Sequence, residues 1–152
     1  QTISQPSTVA IMLELLELSR NQKVLDIGAG SGWVSCLIAK AIGPKGHVFA
    51  YEKNKIVGKI GLQNIKKTKI KNIHYFIADA AKNWQFHAPF DRIHSGAGFA
   101  KIPENLPKQL KIGGILVTPT QDGYMRCLRR LATDKFSEQK FYGFAFVPFV
   151  TI

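Results

Sequence analysis

Short runs of apolar residues alternate along this chain with longer segments in which apolar residues recur every three or four positions. The apolar runs, which predict buried strands, cover 23–27, 47–51, 73–78, 91–95 and 115–118. The helically spaced segments cover 7–18, 33–41, 54–67 and 103–110. Strand and helix alternating this often indicate a parallel sheet with helices on both faces.

The alternation stops after the fifth strand. Residues 126–132 and 140–147 both have strand-like composition, and the polar residues Thr133–Lys135 join them, which predicts a hairpin. We therefore expect an α/β fold: a doubly wound, Rossmann-like seven-stranded mixed sheet that ends in an antiparallel hairpin. The length of 152 residues suits a single domain over 1–152.

Composition excludes several classes of protein. A chain that is 45% apolar and 20% charged is not disordered. It has no apolar run of the ~18 residues that a membrane span needs, and its first residues lack the features of a signal peptide. Two cysteines cannot form a disulfide framework, so we expect a cytoplasmic protein without a membrane partner.

The positive charge is concentrated in one segment. The formal net charge is +11, and residues 53–71 hold seven lysines. Such a cluster is either a nucleic-acid footprint or the solvated face of a helix and its loop. The segment has no aromatic residue that could stack on a base, which favours the second interpretation. We expect nucleic-acid binding to be weak and nonspecific at most.

A glycine-rich loop, Asp26–Gly32, joins the first strand to the next helix. Its glycine spacing is G-x-G-x-G, which differs from the dinucleotide fingerprint, and the chain has no P-loop motif. Glu52 ends the second strand, where a carboxylate can accept both hydroxyls of a ribose, and Asp79–Ala80 follow the third strand. Open α/β sheets bind ligands at these strand ends.

Together these features resemble the class I S-adenosylmethionine-dependent methyltransferases. The resemblance implies S-adenosyl-L-methionine as the cofactor, with no metal. It implies that Glu52 holds the ribose and that Asp79 meets the adenine amino group. The cofactor-binding residues expected from the motifs are Thr2, Asp26, Gly28, Ala29, Gly30, Gly32, Glu52, Lys53, Asp79 and Ala80.

The methyl acceptor must be inferred from outside the cofactor loop. Enzymes that methylate exocyclic or amide nitrogens often carry Asn or Asp before Pro-Pro-aromatic after the fourth strand, where this chain has Ser95–Phe99. Cytosine C5 enzymes usually carry a nucleophilic cysteine after proline, but here Cys36 follows serine and Cys127 follows arginine. Neither chemistry is supported.

The first residues are more specific. The segment Thr2–Pro6 and the helix after it closely resemble the active-site segment of the protein-L-isoaspartate O-methyltransferases. Further stretches agree with that family at 24–33, 88–93, 110–117 and 146–148. The chain departs from the family at Ser7, where many members have His, and at Thr120–Asp122. Members usually carry a further N-terminal segment, so we also expect that this chain lacks it.

The resemblance implies a repair methyltransferase that acts on the free α-carboxylate of L-isoaspartyl residues in damaged proteins and peptides. It assigns the catalytic role to Ser4, whose hydroxyl would orient the acceptor. The alternative for Ser4 is a helix N-cap, although Ser7 is better placed for that role. The implied substrate-binding residues are Ile3, Gln5, Pro6, Ala97, Val147 and Pro148.

An acceptor carboxylate is ionised at neutral pH and needs no general base. The histidines are accordingly expected to be structural: His47, His74, His87 and His94. A monomer is expected. Two alternatives stay open. The lysine cluster would suit a tRNA or other RNA methyltransferase, and a missing N-terminal segment would suit a cofactor-binding domain without activity.

Overall fold

The chain forms one seven-stranded sheet, described by a computed structural model over residues 4–150. The strands in chain order are β1 (Lys23–Ile27), β2 (His47–Tyr51), β3 (Ile73–Phe76), β4 (Phe90–Ser95), β5 (Leu110–Pro119), β6 (Tyr124–Ala132) and β7 (Lys135–Tyr142). Their order across the sheet is β3-β2-β1-β4-β5-β6-β7. The first five are parallel, whereas β6 and β7 are antiparallel to their neighbours. The predicted mixed sheet is therefore confirmed.

Three α-helices accompany the sheet in the described part of the chain: α1 (Pro6–Leu15), α2 (Trp33–Ile42) and α3 (Lys55–Lys67). Single 3-10 turns lie at Ala80–Lys82, Trp84–Phe86 and Pro107–Gln109. No helix within residues 4–150 is long and apolar enough to cross a membrane.

Several predicted elements were wrong in extent: the first helix ends at Leu15 and not at 18, the fifth strand covers Leu110–Pro119 and not 115–118, and two further elements differ most. The helix expected over 103–110 is only the turn at Pro107–Gln109, because proline has no N–H to donate and Leu110 already pairs with Phe90 of β4. The last strand is β7 and not 140–147, because Ala132 pairs with Lys135 across a tight turn and the chain returns at once. Residues 144–150 therefore leave the sheet.

The helices cover the sheet through distinct apolar clusters. On α2, Ile38 and Ile42 pack against Val24 and Val48 of the sheet. Met12 and Leu16 lie against β5 and β6 in a separate cluster that includes Ile115, Val117 and Met125. The second cluster fixes α1, so the residues just before this helix lie over the carboxyl ends of the central strands.

Gly61 lets α3 approach the glycine loop. A Cβ atom at this position would lie 2.3 Å from the carbonyl oxygen of Gly30 and 2.4 Å from the hydroxyl of Tyr75. That hydroxyl donates a hydrogen bond of 2.7 Å to the same carbonyl. Burial, followed by the negative charges of Glu52 and Asp26, raises the pKa of Tyr75, so the hydroxyl remains a donor. The glycine weakens the helix locally but permits this contact.

Candidate active site

A cavity of about 500 Å³ opens at the carboxyl ends of the central strands. Its size is typical of small-molecule sites. One side, the strand-end wall, is built from Gly28–Gly30, Glu52 and Asp79. The other, the terminal wall, is built from Ser4 and from Val147–Val150.

Glu52 is 3% exposed and is held by backbone N–H groups. The amide of Gly30 donates to its Oε2 at 3.1 Å, and the amide of Asn54 donates to its Oε1 at 2.8 Å. An ionised carboxylate has about four acceptor sites, so both oxygens can accept further hydrogen bonds. The loop glycine and the acid at the end of β2 thus form one unit.

Asp79 has one bonded and one unbonded oxygen. Its Oδ1 accepts a hydrogen bond of 2.9 Å from the amide of Ala81, whereas its Oδ2 is buried with no partner among residues 4–150. An unpaired buried acceptor is costly, so the site suits a ligand that brings a donor. The adenine amino group of S-adenosylmethionine is such a donor, and the residues present therefore fit this cofactor.

Asp26 lies at the floor of the cavity and is fully buried. Its Oδ2 accepts a hydrogen bond from the hydroxyl of Ser35, and its Oδ1 lies 2.8 Å from Nδ1 of His94. Both carboxylate oxygens are therefore bonded to protein groups. His94 is part of the cavity wall, although the sequence placed it among the structural histidines.

The terminal wall is joined by main-chain hydrogen bonds to the segment that follows β4. The amide of Gly98 donates to the carbonyl of Val147 at 2.8 Å, and the amide of Phe149 donates to the carbonyl of Gly98 at 2.7 Å. The ammonium of Lys53 donates to the carbonyl of Val150. The last described residues thus pass over the strand ends and enclose the cavity.

Most of the predicted site residues meet in this cavity. The predicted residues found in its wall are Ser4, Asp26, Gly28, Ala29, Gly30, Glu52, Lys53, Asp79, Ala80, Ala97, Val147 and Pro148. Gly32, Gln5 and Pro6 are not part of the wall. Thr2 and Ile3 lie outside the described residues.

Gly32 is instead the N-cap of α2 and has a positive φ of 81°. A Cβ atom there would lie 2.9 Å from the side chain of Ile65, so this glycine permits close packing of α2 against α3. At the start of α1 the N-cap is Gln5, which makes no side-chain cap bond, while Ser7 lies inside the helix. The expectation that Ser7 caps this helix was wrong, because Pro6 already begins it.

Sequence reasoning missed several apolar members of the wall, among them Trp33, Tyr51 and Phe149. Trp33 directly follows the glycine loop, and this adjacency could have indicated it. No group of three His, Cys, Asp or Glu residues in the 4–150 range could hold a metal ion.

The sheet, the glycine loop bonded to an acid at the end of β2, and the unpaired carboxylate oxygen after β3 define a class I S-adenosylmethionine-dependent methyltransferase. The family model for protein-L-isoaspartate(D-aspartate) O-methyltransferase (PCMT) matches residues 1–152. The chain belongs to this family.

Curated relatives agree with the family model. The chain is 36% identical over 153 residues to the protein-L-isoaspartate O-methyltransferase of Ignicoccus hospitalis, covering 99% of this chain and 72% of that protein. It is 35% identical to the enzyme of Methanosarcina mazei, again over 99% of this chain but 63% of the relative. The chain thus spans about two thirds of the length of these relatives.

Solved structures share the fold. A protein-L-isoaspartate O-methyltransferase superposes with a TM-score of 0.88 at 24% identity, covering 99% of this chain and 49% of that chain. A putative Plasmodium falciparum member in complex with S-adenosyl-L-homocysteine superposes with a TM-score of 0.83 at 23% identity, covering 97% and 75%. At such identities the likeness concerns the fold alone.

Proposed function

We propose that this chain transfers a methyl group from S-adenosylmethionine to the free α-carboxylate of L-isoaspartyl residues in damaged proteins and peptides. Family membership supports the reaction class. The observation that carries the proposal is that Ser4 and Val147–Pro148 share one cavity with the glycine loop and with Glu52. Substrate-side and cofactor-side residues of the predicted site therefore meet in one place.

The cofactor, when bound, supplies an electrophilic methyl group on a sulfonium. On the protein side, Glu52 would accept hydrogen bonds from the ribose hydroxyls, and Oδ2 of Asp79 would accept one from the adenine amino group. The backbone of Gly28–Gly30 would allow the ligand to approach closely. These residues would bind the cofactor and orient its methyl group.

The acceptor side needs positioning more than acid–base chemistry. A free α-carboxyl group has a pKa of ~3.3–3.7 and is already a nucleophile at neutral pH. The hydroxyl of Ser4 would donate to one carboxylate oxygen, and Ala97 and Val147–Pro148 would hold the peptide backbone. Correct orientation alone can lower a barrier by roughly 7–11 kcal/mol.

RNA methylation is the competing proposal, and the lysine cluster is the observation that favours it. Lys55, Lys59, Lys66 and Lys67 on α3 are exposed, as are Lys69 and Lys71 in the loop that follows the helix. Of the seven cluster lysines, only Lys53 lies in the cavity wall. Electrostatic attraction alone gives Kd values of about 10⁻⁴–10⁻⁶ M for nucleic acid at physiological salt.

A reducing cytoplasmic setting, which suits the two free cysteines, is part of our proposal.

The test is a methyl-transfer assay with labelled S-adenosylmethionine and three acceptors. These are an isoaspartyl peptide, the same peptide with normal aspartate, and bulk tRNA. We expect label in the isoaspartyl peptide only, because the normal side-chain carboxylate stands one methylene further from the backbone. Equal labelling of the two peptides would reject the acceptor assignment, and labelling of tRNA would favour the RNA enzyme.

A further inference from the structure

The side chain of His94 has one fixed nitrogen and one without a partner. It is 2% exposed and stands near the end of β4, in register with Asp26 of β1. Its Nδ1 is 2.8 Å from Oδ1 of Asp26, whereas its Nε2 is buried without a hydrogen-bond partner anywhere in residues 4–150. Because an unpaired buried polar atom is costly, an Nε2 in the wall of a cavity indicates contact with a ligand.

The bonding of Asp26 determines what this nitrogen can do. An ionised carboxylate only accepts hydrogen bonds, and its second oxygen already accepts one from Ser35. Nδ1 of His94 therefore carries the hydrogen that Asp26 accepts. In the neutral imidazole this leaves a lone pair on Nε2. The histidine thus presents an acceptor that needs a donor from the ligand.

The order of the strands indicates which part of the cofactor supplies this donor. Glu52 and Asp79 stand at the ends of β2 and β3, whereas Asp26 and His94 stand on β1 and β4, on the other side of the loop. Neighbouring strands are about 4.8 Å apart, so a ligand whose adenosine rests on β2 and β3 extends its other end toward β1 and β4. The donor on that end of S-adenosylmethionine is its ammonium group.

The charge of the cavity suits a cation at this position. Its described wall contains the carboxylates of Asp26, Glu52 and Asp79, with Lys53 as the permanent cation among these residues. Asp26 itself is fully buried, and both of its oxygens are engaged by the protein. Its charge can attract an ammonium, and the unpaired Nε2 of His94 offers that ammonium a hydrogen-bond acceptor.

We propose that His94 is a cofactor-binding residue whose Nε2 accepts a hydrogen bond from the ammonium of the methionine part of S-adenosylmethionine, while Asp26 holds the imidazole ring. This inference rests on the proposed function, because it assumes that cofactor. It gives the buried imidazole of His94 a role in binding.

The test compares two amide variants on two ligands by calorimetry. His94→Asn keeps an amide near the Nδ1 position, facing Asp26, and loses the outward nitrogen, whereas His94→Gln places an amide near Nε2. The ligands are S-adenosylhomocysteine and methylthioadenosine, which has the adenosine but no amino-acid part. We expect His94→Asn to weaken S-adenosylhomocysteine binding by about tenfold or more, as for a hydrogen bond to a charged group, and to leave methylthioadenosine binding unchanged.

His94→Gln should retain most of the affinity for S-adenosylhomocysteine. Ser35→Ala is the matched control, since it removes a partner of Asp26 without changing His94, and it should not alter the ratio of the two affinities. Equal weakening of both ligands by His94→Asn would overturn the inference, because His94 would then only support Asp26. Unchanged binding of S-adenosylhomocysteine by that variant would also overturn it.

A measurement on the wild-type chain tests the inference even if a His94 variant does not fold. With nitrogen-15-labelled histidine, the Nε2 signal of His94 should move when S-adenosylhomocysteine is added and stay in place with methylthioadenosine. S-adenosylhomocysteine binding that leaves this signal unmoved would reject the inference alone. Failure of the wild type to bind S-adenosylhomocysteine would reject the proposed cofactor as well.

Discussion

The two walls of the cavity are built in different ways. The strand-end wall uses Gly28–Gly30 and Glu52, which directly follow β1 and β2, and Asp79, which lies in the segment after β3. Its carboxylates are held by backbone N–H groups of the same wall or its neighbours. The terminal wall uses Ser4 and Val147–Val150, which lie outside the sheet.

The difference shows how the two halves of a transfer reaction can be separated in one fold. On the proposed function, the strand-end wall, whose carboxylates are fixed by backbone N–H groups, binds the same cofactor in every turnover. On the proposed function, the terminal wall, in which Val147 bonds to Gly98 of the segment after β4, takes acceptor peptides of differing sequence. We therefore expect substitutions in the strand-end wall to change cofactor affinity and those in the terminal wall to change turnover.

The largest effect is expected for Glu52→Ala. This change removes the proposed acceptor of both ribose hydroxyls, and a hydrogen bond to a charged group contributes about 1.5–3 kcal/mol. The affinity for S-adenosylhomocysteine, measured by calorimetry, should therefore fall by roughly 3 kcal/mol or more. Glu104→Ala, at a carboxylate that is 89% exposed, should bind as the wild type does. An unchanged affinity in Glu52→Ala would remove this residue from the cofactor site.

Ser4→Ala tests the other wall. The hydrogen bond proposed for Ser4 lies on the acceptor side, so kcat for an isoaspartyl peptide should fall by an amount that corresponds to about 1.5–3 kcal/mol. The Kd for S-adenosylhomocysteine should stay the same. Ser7→Ala, on the exposed side of α1, is the matched control. If Ser4→Ala instead loses cofactor affinity, the assignment of cofactor binding to the strand-end wall and of acceptor binding to the terminal wall is wrong.

Gly61→Ala tests the contact between α3 and the glycine loop. Its Cβ atom would meet a backbone oxygen at 2.3 Å, and such overpacking destabilises a fold by about 1–3 kcal/mol. Gly58→Ala on the same helix meets only the side chain of Ile77 at 3.0 Å, which can shift. Urea unfolding should therefore show a loss of stability for Gly61→Ala only. Equal stability of the two variants would show that the loop does not depend on this approach.

The smallest effect concerns pH. Burial, and then the neighbouring His47 and His87, lowers the pKa of His74; burial, and then Lys23, lowers the pKa of His87. The unfolded chain then binds more protons than the folded one as the pH falls below the ordinary histidine value of ~6.5, so stability falls with it. His74→Gln should flatten this dependence in urea unfolding at two pH values. If the stability of His74→Gln depends on pH as steeply as that of the wild type, the pH dependence does not come from His74.

Much of the strand-end wall could be predicted from local sequence. Buried strands have short apolar runs, and parallel strands bring their carboxyl ends to one edge, so Asp26, Glu52 and Asp79 were predicted to meet before any packing was known. The seven-stranded mixed sheet followed from the same alternation. The extents of the last strand and of the helix near Pro107 could not be predicted in this way, because they are set by the strands with which these segments pair.

By itself, then, the sequence determined the fold class, the glycine loop and the acids at the strand ends, since each depends on neighbours in the chain or on a rule of sheet topology. Tertiary structure alone decided that Lys53 bonds to Val150 and that Gly61 meets the carbonyl of Gly30. It also decided that His94 lies in the cavity with one nitrogen unpaired. These are contacts between distant segments, and their distances are set by how helices and terminal segments pack onto the sheet, which no local pattern encodes.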